Sequence, residues 1–175
     1  INDNRDNTYT ISYKAPIADG NYLIYCTLTD NATNISDQSD DFSFTIDTIQ
    51  PIKPVITGNL ITSDTTPELN ITAEVDSDLT MYNNSNENIT DQFTINETSG
   101  NFTATYNNNL NDGSYTIYAK ATDAVGNVSE KSDNFTFIID TSSPSKPTIE
   151  GDQLTTNTRP TINITAETGS TLTIY

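Results

Sequence analysis

The chain has no histidine, no tryptophan, one cysteine and only seven basic residues among its 175. Without histidine there is no His-based triad and no zincin site. A lone Cys26 cannot form an internal disulfide, so the fold is not a disulfide framework. Seven Lys and Arg against 24 Asp and Glu leave a net charge of −17. Phosphate neutralisation needs the opposite sign, which excludes a nucleic-acid partner. No apolar run spans a membrane, no signal-peptide or lipid motif is present, and no window carries the periodicity of an amphipathic helix.

What is there is Thr, Asn, Ser and Asp in abundance, with Tyr (9) and Phe (6) supplying bulk. That mixture favours strands and turns. A hydrophobic share of 33% is low, but enough for small sandwich cores.

The chain repeats. Asp19-Gly20-x-Tyr22 returns as Asp112-Gly113-x-Tyr115, Thr29-Asp30 as Thr122-Asp123, and Ile46-Asp47-Thr48 as Ile139-Asp140-Thr141, each 93 positions later. The same offset carries Lys53-Pro54 onto Lys146-Pro147 and Asn70–Glu74 onto Asn163–Glu167, without a gap. A fixed period marks an array. Residues 1–49 read as the back half of a unit, 50–142 as a complete one and 143–175 as the front of a third. Because the chain starts and stops inside units, missing targeting signals say nothing about a full-length protein.

The complete unit predicts seven strands, at about 54–62 (interrupted by Gly58), 68–75, 78–83, 89–95, 101–107, 114–122 and 132–139. Their lengths and the Gly, Asn and Asp turns between them indicate an all-β antiparallel sandwich. Alternation puts Ile71, Tyr115, Ile117, Ala119, Phe135, Phe137 and Ile139 on inward faces. In the first unit strands are expected at 9–13, 22–29 and 42–47, with Cys26 a buried, inert thiol in the place of Ala119. Residues 148–175 should supply the first two strands of the third unit and most of another. The segments 48–54 and 141–147 are linkers that proline holds extended and stiff. Leu110-x-Asp-Gly-x-Tyr115 fits a corner in which the Tyr hydroxyl ties back to nearby backbone.

DGSYTIYAKATDAVGNVS, FIIDTSSPSKPTIEG and TNTRPTINITAETGSTLTIY are similar to the bacterial immunoglobulin-like tandem repeats of giant extracellular surface adhesins. The resemblance implies immunoglobulin-like sandwiches of about seven strands, a stalk role outside the cell, and calcium ions between successive domains. The first unit departs from it, with Asp30-Asn-Ala-Thr-Asn34 where Asp123-Ala-Val-Gly-Asn127 keeps a glycine.

In a seven-strand sandwich the pole that the linker enters gathers Asp47, Glu74, Asp76, Asp78, Asp123 and Asn127. Oxygen ligands from several segments suit calcium, while the same residues are equally at home in solvated turns. The next junction offers Asp140 and Glu167, but Gly169 and Thr171 replace Asp76 and Asp78, so a weaker or differently built site is expected there. Glycosylation sequons stand at Asn31, Asn34, Asn70, Asn83, Asn88, Asn96, Asn101, Asn127, Asn134 and Asn163. This is a mild excess over what so much Asn, Ser and Thr gives by chance.

No carboxylate pair stands out from two dozen surface acids, so no enzyme is expected. Three functions compete. One is a rod segment of a surface adhesin, whose partners are neighbouring repeats and whose tip ligand is unknown. Another is a filament subunit, in which 143–175 of one chain completes 1–49 of the next by strand addition, minus a counterpart of 83–93. The last is a carbohydrate-binding module using exposed aromatics such as Tyr25 and Tyr118.

Overall fold

Glu68–Thr72 shows how the sequence builds the core. In ELNIT, Leu69 and Ile71 turn inward while Glu68, Asn70 and Thr72 face water. The computed structural model describes residues 1–151, 153 and 156–175. In chain order its strands are β1 (Asn2–Asp3), β2 (Tyr9–Thr10), β3 (Gly20–Ile24), β4 (Phe42–Ile46), β5 (Val55–Thr57), β6 (Ile61–Thr62) and β7 (Glu68–Thr72). They continue with β8 (Asp78–Asn83), β9 (Phe93–Thr98), β10 (Asn101–Tyr106), β11 (Gly113–Thr122), β12 (Phe135–Ile139), β13 (Thr148–Glu150) and β14 (Asn163–Thr165). No helix among the described residues is long and apolar enough to cross a membrane.

The middle of the chain forms two facing sheets, ordered β5-β7-β10-β9 and β6-β12-β11-β8. All pairs are antiparallel except β6 with β12. The strand expected at 54–62 therefore divides, its first part joining one sheet and its second part the other. Gly58 sits at the crossing, where a Cβ would lie 3.1 Å from Leu69 and 3.4 Å from the Phe135 ring. Between the sheets Met81, Ala104, Ala119 and Phe137 are fully buried, and Leu69, Ile71, Ile117 and Ile139 nearly so. Burying each large side chain contributes about 1.5–3 kcal/mol. Five of the seven expected core residues are buried, and Tyr115 and Phe135 are half-buried at its edge. The corner forms as expected, with the Tyr115 hydroxyl donating to the Asn111 carbonyl at 2.9 Å and Tyr22 to Ala18 at 2.7 Å.

The flanking segments repeat these elements 93 positions away. β3 and β4 pair as β11 and β12 do, and β13 and β14 as β5 and the end of β7, while β1 and β2 match parts of β9 and β10 but pair one residue out of their register. The counterpart of β6 falls at 154 and 155, outside the described residues.

Several expectations need correction. The strand placed at 89–95 is a 3-10 turn over Thr90–Gln92 followed by β9. Asn88 Oδ1 accepts both the Thr90 amide and hydroxyl, and that local bonding competes with the ladder. The strand at 132–139 begins only at Phe135, because the Ser129 and Ser132 hydroxyls take the Ala121 and Ala119 amides that a longer strand would have bonded. In the first unit Ser36 and Ser39 do the same for Leu28 and Cys26, and the strand expected at 22–29 ends at Ile24 because no counterpart of β8 pairs with its second half as β8 pairs with β11. Residues 171–175 form no strand, since β8, their counterpart, pairs with β11 and nothing here plays that part. Cys26 is exposed, not buried. Ala119, its counterpart, is covered by strands for which residues 1–49 hold no full equivalent.

Candidate functional site at the junction between repeats

The linker from Asp47 to Pro54 is fastened on both sides. Behind it, the Thr48 amide and hydroxyl donate to the Asp19 carboxylate at 3.2 and 3.0 Å. Ahead of it, the Asn127 amide group donates to the Asp47 carbonyl at 3.1 Å. Further along, the Ile52 amide reaches Glu74 Oε2 at 3.4 Å, and Lys53 Nζ meets Asp133 at 2.7 Å. The ion pair is exposed and adds little. Pro51 and Pro54 are buried against the sandwich with φ fixed and no N–H to satisfy.

Asn127 is held by its own loop. Asp123 Oδ1 accepts the Val125 and Asn127 amides at 3.0 and 2.8 Å, and Oδ2 accepts Asn127 Nδ2 at 2.8 Å. Partial desolvation raises the Asp123 pKa, but the Asn127 side chain and the loop amides outweigh it and hold the carboxyl below its ordinary range. At the far pole Asp112 grips the outgoing linker, accepting from the Thr141 amide and hydroxyl at 3.1 and 2.8 Å and from Ser142 Oγ at 3.2 Å. Those bonds, the Thr141 hydroxyl first, lower the Asp112 pKa.

The two junctions are built alike. Thr48 on Asp19 becomes Thr141 on Asp112, and Ile52 on Glu74 becomes Ser145 on Glu167 at 3.0 Å. The Asp47 carboxylate caps the Ile49 amide as Asp140 caps Ser142, each at 3.0 Å.

The residues expected at the near pole are thus partly brought together. Asn127 meets the backbone of Asp47, and Glu74 meets the linker at Ile52. Asp78 lies opposite Thr122, beside the Asp123 loop. Asp76 turns the chain with φ 59°, and Gly169 repeats that turn at 88°. A left-handed turn tolerates Asp and favours Gly, which accounts for both residues.

In this arrangement the acids of the near pole are taken up by hydrogen-bond donors. Among the described residues no three acidic, His or Cys side chains gather where one ion could sit. Asp123 faces three N–H donors where a cation would need open oxygens, and Glu74 and Asp47 each accept a linker amide.

Of the sequons, Asn31, Asn34, Asn70, Asn88, Asn96, Asn101, Asn134 and Asn163 are exposed. Asn34 donates to Asp30, Asn83 is half-buried with its Nδ2 on Glu87 at 2.6 Å, and Asn127 is engaged as above. Tyr118 is no open platform: it is 7% exposed, stacked on Tyr82 at 4.9 Å and covered by Lys131. Tyr25, one period earlier, is 60% exposed. Sequence reasoning missed the grips of Asp19 and Asp112 on the linkers, although each Asp-Gly recurs together with its partner Thr48 or Thr141.

A family model described as a bacterial Ig-like domain matches residues 1–48 and 55–141. Among solved structures, the chain is similar to a "Biofilm associated protein - BSP domain" at 18% identity and a TM-score of 0.40. That likeness covers 73% of this chain and 20% of the other, so the chain spans a fifth of that protein's length. It is also similar to CopC from Methylosinus trichosporium OB3b, at 8% identity and a TM-score of 0.33, covering 48% of this chain and 85% of that one. No curated protein matches the chain.

Proposed function

Because the chain belongs to the bacterial Ig-like domain family, we propose that it is a spacer: a stretch of tandem sandwiches that holds a surface protein's distal part away from the cell. The observation that carries this reading is the recurrence of the joint. Thr48 on Asp19 and Thr141 on Asp112 use the same atoms one period apart. A rod needs every joint to be the same, and a repeat that carries half of each joint at each pole supplies that.

Solution scattering on the whole chain tests it. A rod gives an elongated particle whose maximum dimension holds between low and moderate salt. Asn127→Ala combined with Glu74→Ala should shorten and broaden the distance distribution, because the linker then loses both side-chain hydrogen bonds to the domain ahead of it. A parent chain already as compact and variable as the double variant would overturn the reading.

Calcium at the near pole is a finer form of the same proposal. It rests on Asp47, Glu74, Asp78 and Asp123, which the linker and two loops carry toward that pole, and requires these side chains to draw together and the Asp123 loop to exchange its N–H donors for an ion. Titration with calcium decides it. A rise in melting temperature that Asp123→Ala abolishes and Asp64→Ala preserves supports an ion, whereas a melt indifferent to calcium and chelator leaves a hydrogen-bonded joint.

The exposed Leu23, Phe42, Ile149 and Ile174 favour a second arrangement, in which a neighbouring chain covers these faces. Sedimentation over a concentration series separates the two. Association that grows with concentration supports the shared sandwich, and a monomer throughout removes it.

A further inference from the structure

We infer that the complete sandwich carries a ligand site, a half-open cavity between its sheets that takes one small neutral ring compound, with the Tyr106 hydroxyl donating to an acceptor on that ring. The inference goes beyond the spacer reading and uses none of the residues that fasten the linkers.

The cavity arises from one withheld side chain. β8 turns Leu79, Met81 and Asn83 toward the core, and Asn83 lies opposite the buried Ile117. Asn83 does not fill its place. Its Oδ1 accepts the Ser85 and Glu87 amides at 2.9 and 3.0 Å, and its Nδ2 donates to Glu87 at 2.6 Å. Those bonds draw the carboxamide into its own turn. Just beyond, the chain crosses from one sheet to the other. The Ile89 amide donates to the Met81 carbonyl at 2.9 Å on the first side, and the Gln92 carbonyl accepts the Asn107 amide at 2.8 Å on the second. Under this crossing lies a cavity of about 180 Å³, walled by Ile89, Tyr106, Leu110, Tyr115 and Ile117.

Tyr106 is the wall that points to a ligand. It is 5% exposed, with its ring centroid 4.1 Å from that of Phe93 and 6.1 Å from that of Phe137. A buried Tyr hydroxyl usually finds a partner. This one makes no hydrogen bond to any described residue, and the neighbouring Tyr115 hydroxyl is spent on the Asn111 carbonyl. Among the described residues every side-chain polar atom wholly shut off from solvent has a partner, so the Tyr106 hydroxyl is reachable, through the cavity that Tyr106 lines. Burial pushes the phenol pKa up to about 12, so near neutral pH it keeps the proton it would donate.

The walls choose the ligand. An apolar cavity of about 150 Å³ accepts benzene. One of about 180 Å³ therefore holds a single six-membered ring with one small polar substituent. None of the side chains lining it is charged, so an ion entering it would give up hydration for nothing. The net charge of −17 turns anions away further. Aliphatic and aromatic walls suit the ring, and the single free donor suits an acceptor.

Titration of the whole chain with benzyl alcohol, toluene and benzoate tests the site, read from the methyl resonances of Ile89, Leu110 and Ile117. Benzyl alcohol should move them to saturation, and benzoate should leave them unmoved. Tyr106→Phe keeps the shape and removes the donor, so it should lower the preference for benzyl alcohol over toluene by roughly three- to tenfold. Leu110→Phe fills the space and should abolish saturation with either compound. Should Leu110→Phe not fold, Tyr106→Phe decides alone. Shifts that never saturate, benzoate binding as well as benzyl alcohol, or a preference untouched by Tyr106→Phe would overturn the inference and leave a cavity for water. A compact, variable particle in scattering would overturn the spacer reading without altering these affinities.

Discussion

Thr33 holds, with φ 69°, the turn position that Gly126 holds with φ 96° one period later. The surrounding loop is unchanged. Asp30 accepts the Ala32 and Asn34 amides and the Asn34 side chain just as Asp123 serves Val125 and Asn127. The Asx bonds hold a β-branched residue in a region it normally avoids. A Cβ on Gly126 would meet nothing within 4 Å, so any cost there is purely backbone. Gly126→Thr should destabilise the sandwich by about 1–2 kcal/mol in denaturant melts. Gly100→Ala should cost more, since that Cβ would stand 2.9 Å from the Ala73 carbonyl oxygen at φ 79°.

Phe137 is fully buried and touches the rings of Tyr106, Tyr115 and Phe135. Phe137→Ala should cost about 3–5 kcal/mol. Phe135→Ala, at the half-buried edge, should cost clearly less in the same urea titration. Equal losses would mean that the edge packs as tightly as the centre.

Acid should loosen the linkers first. Asp112 and Asp123 have lower pKa values folded than the ordinary 3.8. Their stabilisation is therefore complete above that pH and is lost as pH falls through the lower folded values. Below pH 3.8 the melting temperature of the parent should fall more steeply than that of a chain carrying both Asp112→Asn and Asp123→Asn. Parallel curves for the two chains would show that these carboxylates do not set the acid response.

Alkali should act through the core. Burial, with a smaller contribution from Tyr115, pushes the Tyr106 phenol up to about 12 from 10.0. A raised folded pKa means stability that is whole below pH 10.0 and drains away as pH rises toward 12. Tyr106→Phe should flatten that decline in a melting series across the interval, and an unchanged slope would assign it to other groups.

The period and the inward faces were legible because both are written in side-chain identity. Phe137 and Ile139 take every second position of their strand, as Ile117 and Ala119 do of theirs, and Phe44, Ile46 and Ile24 repeat the first three residues one period earlier. Strand ends were less legible. Ser129 and Ser132 look like solvent-facing residues until their hydroxyls are seen to replace ladder carbonyls, and Asn88 ends one strand register by bonding Thr90. Cys26 was misplaced because alternation reports which face a residue is on, not whether anything covers that face. The junction was half legible. Its acids stood out, but their partners are main-chain amides, which carry no mark in a sequence.

Each joint is made from residues of two successive units, and Asp19, Asp47, Thr48 and Glu74 of one joint return 93 positions later as Asp112, Asp140, Thr141 and Glu167 of the next. A coding segment of one period can thus be lost or duplicated at any point in its frame, and the seam closes with Asp on Thr and Glu on a linker amide as before. Reach becomes a number of copies, open to change by recombination alone, with no joint to redesign.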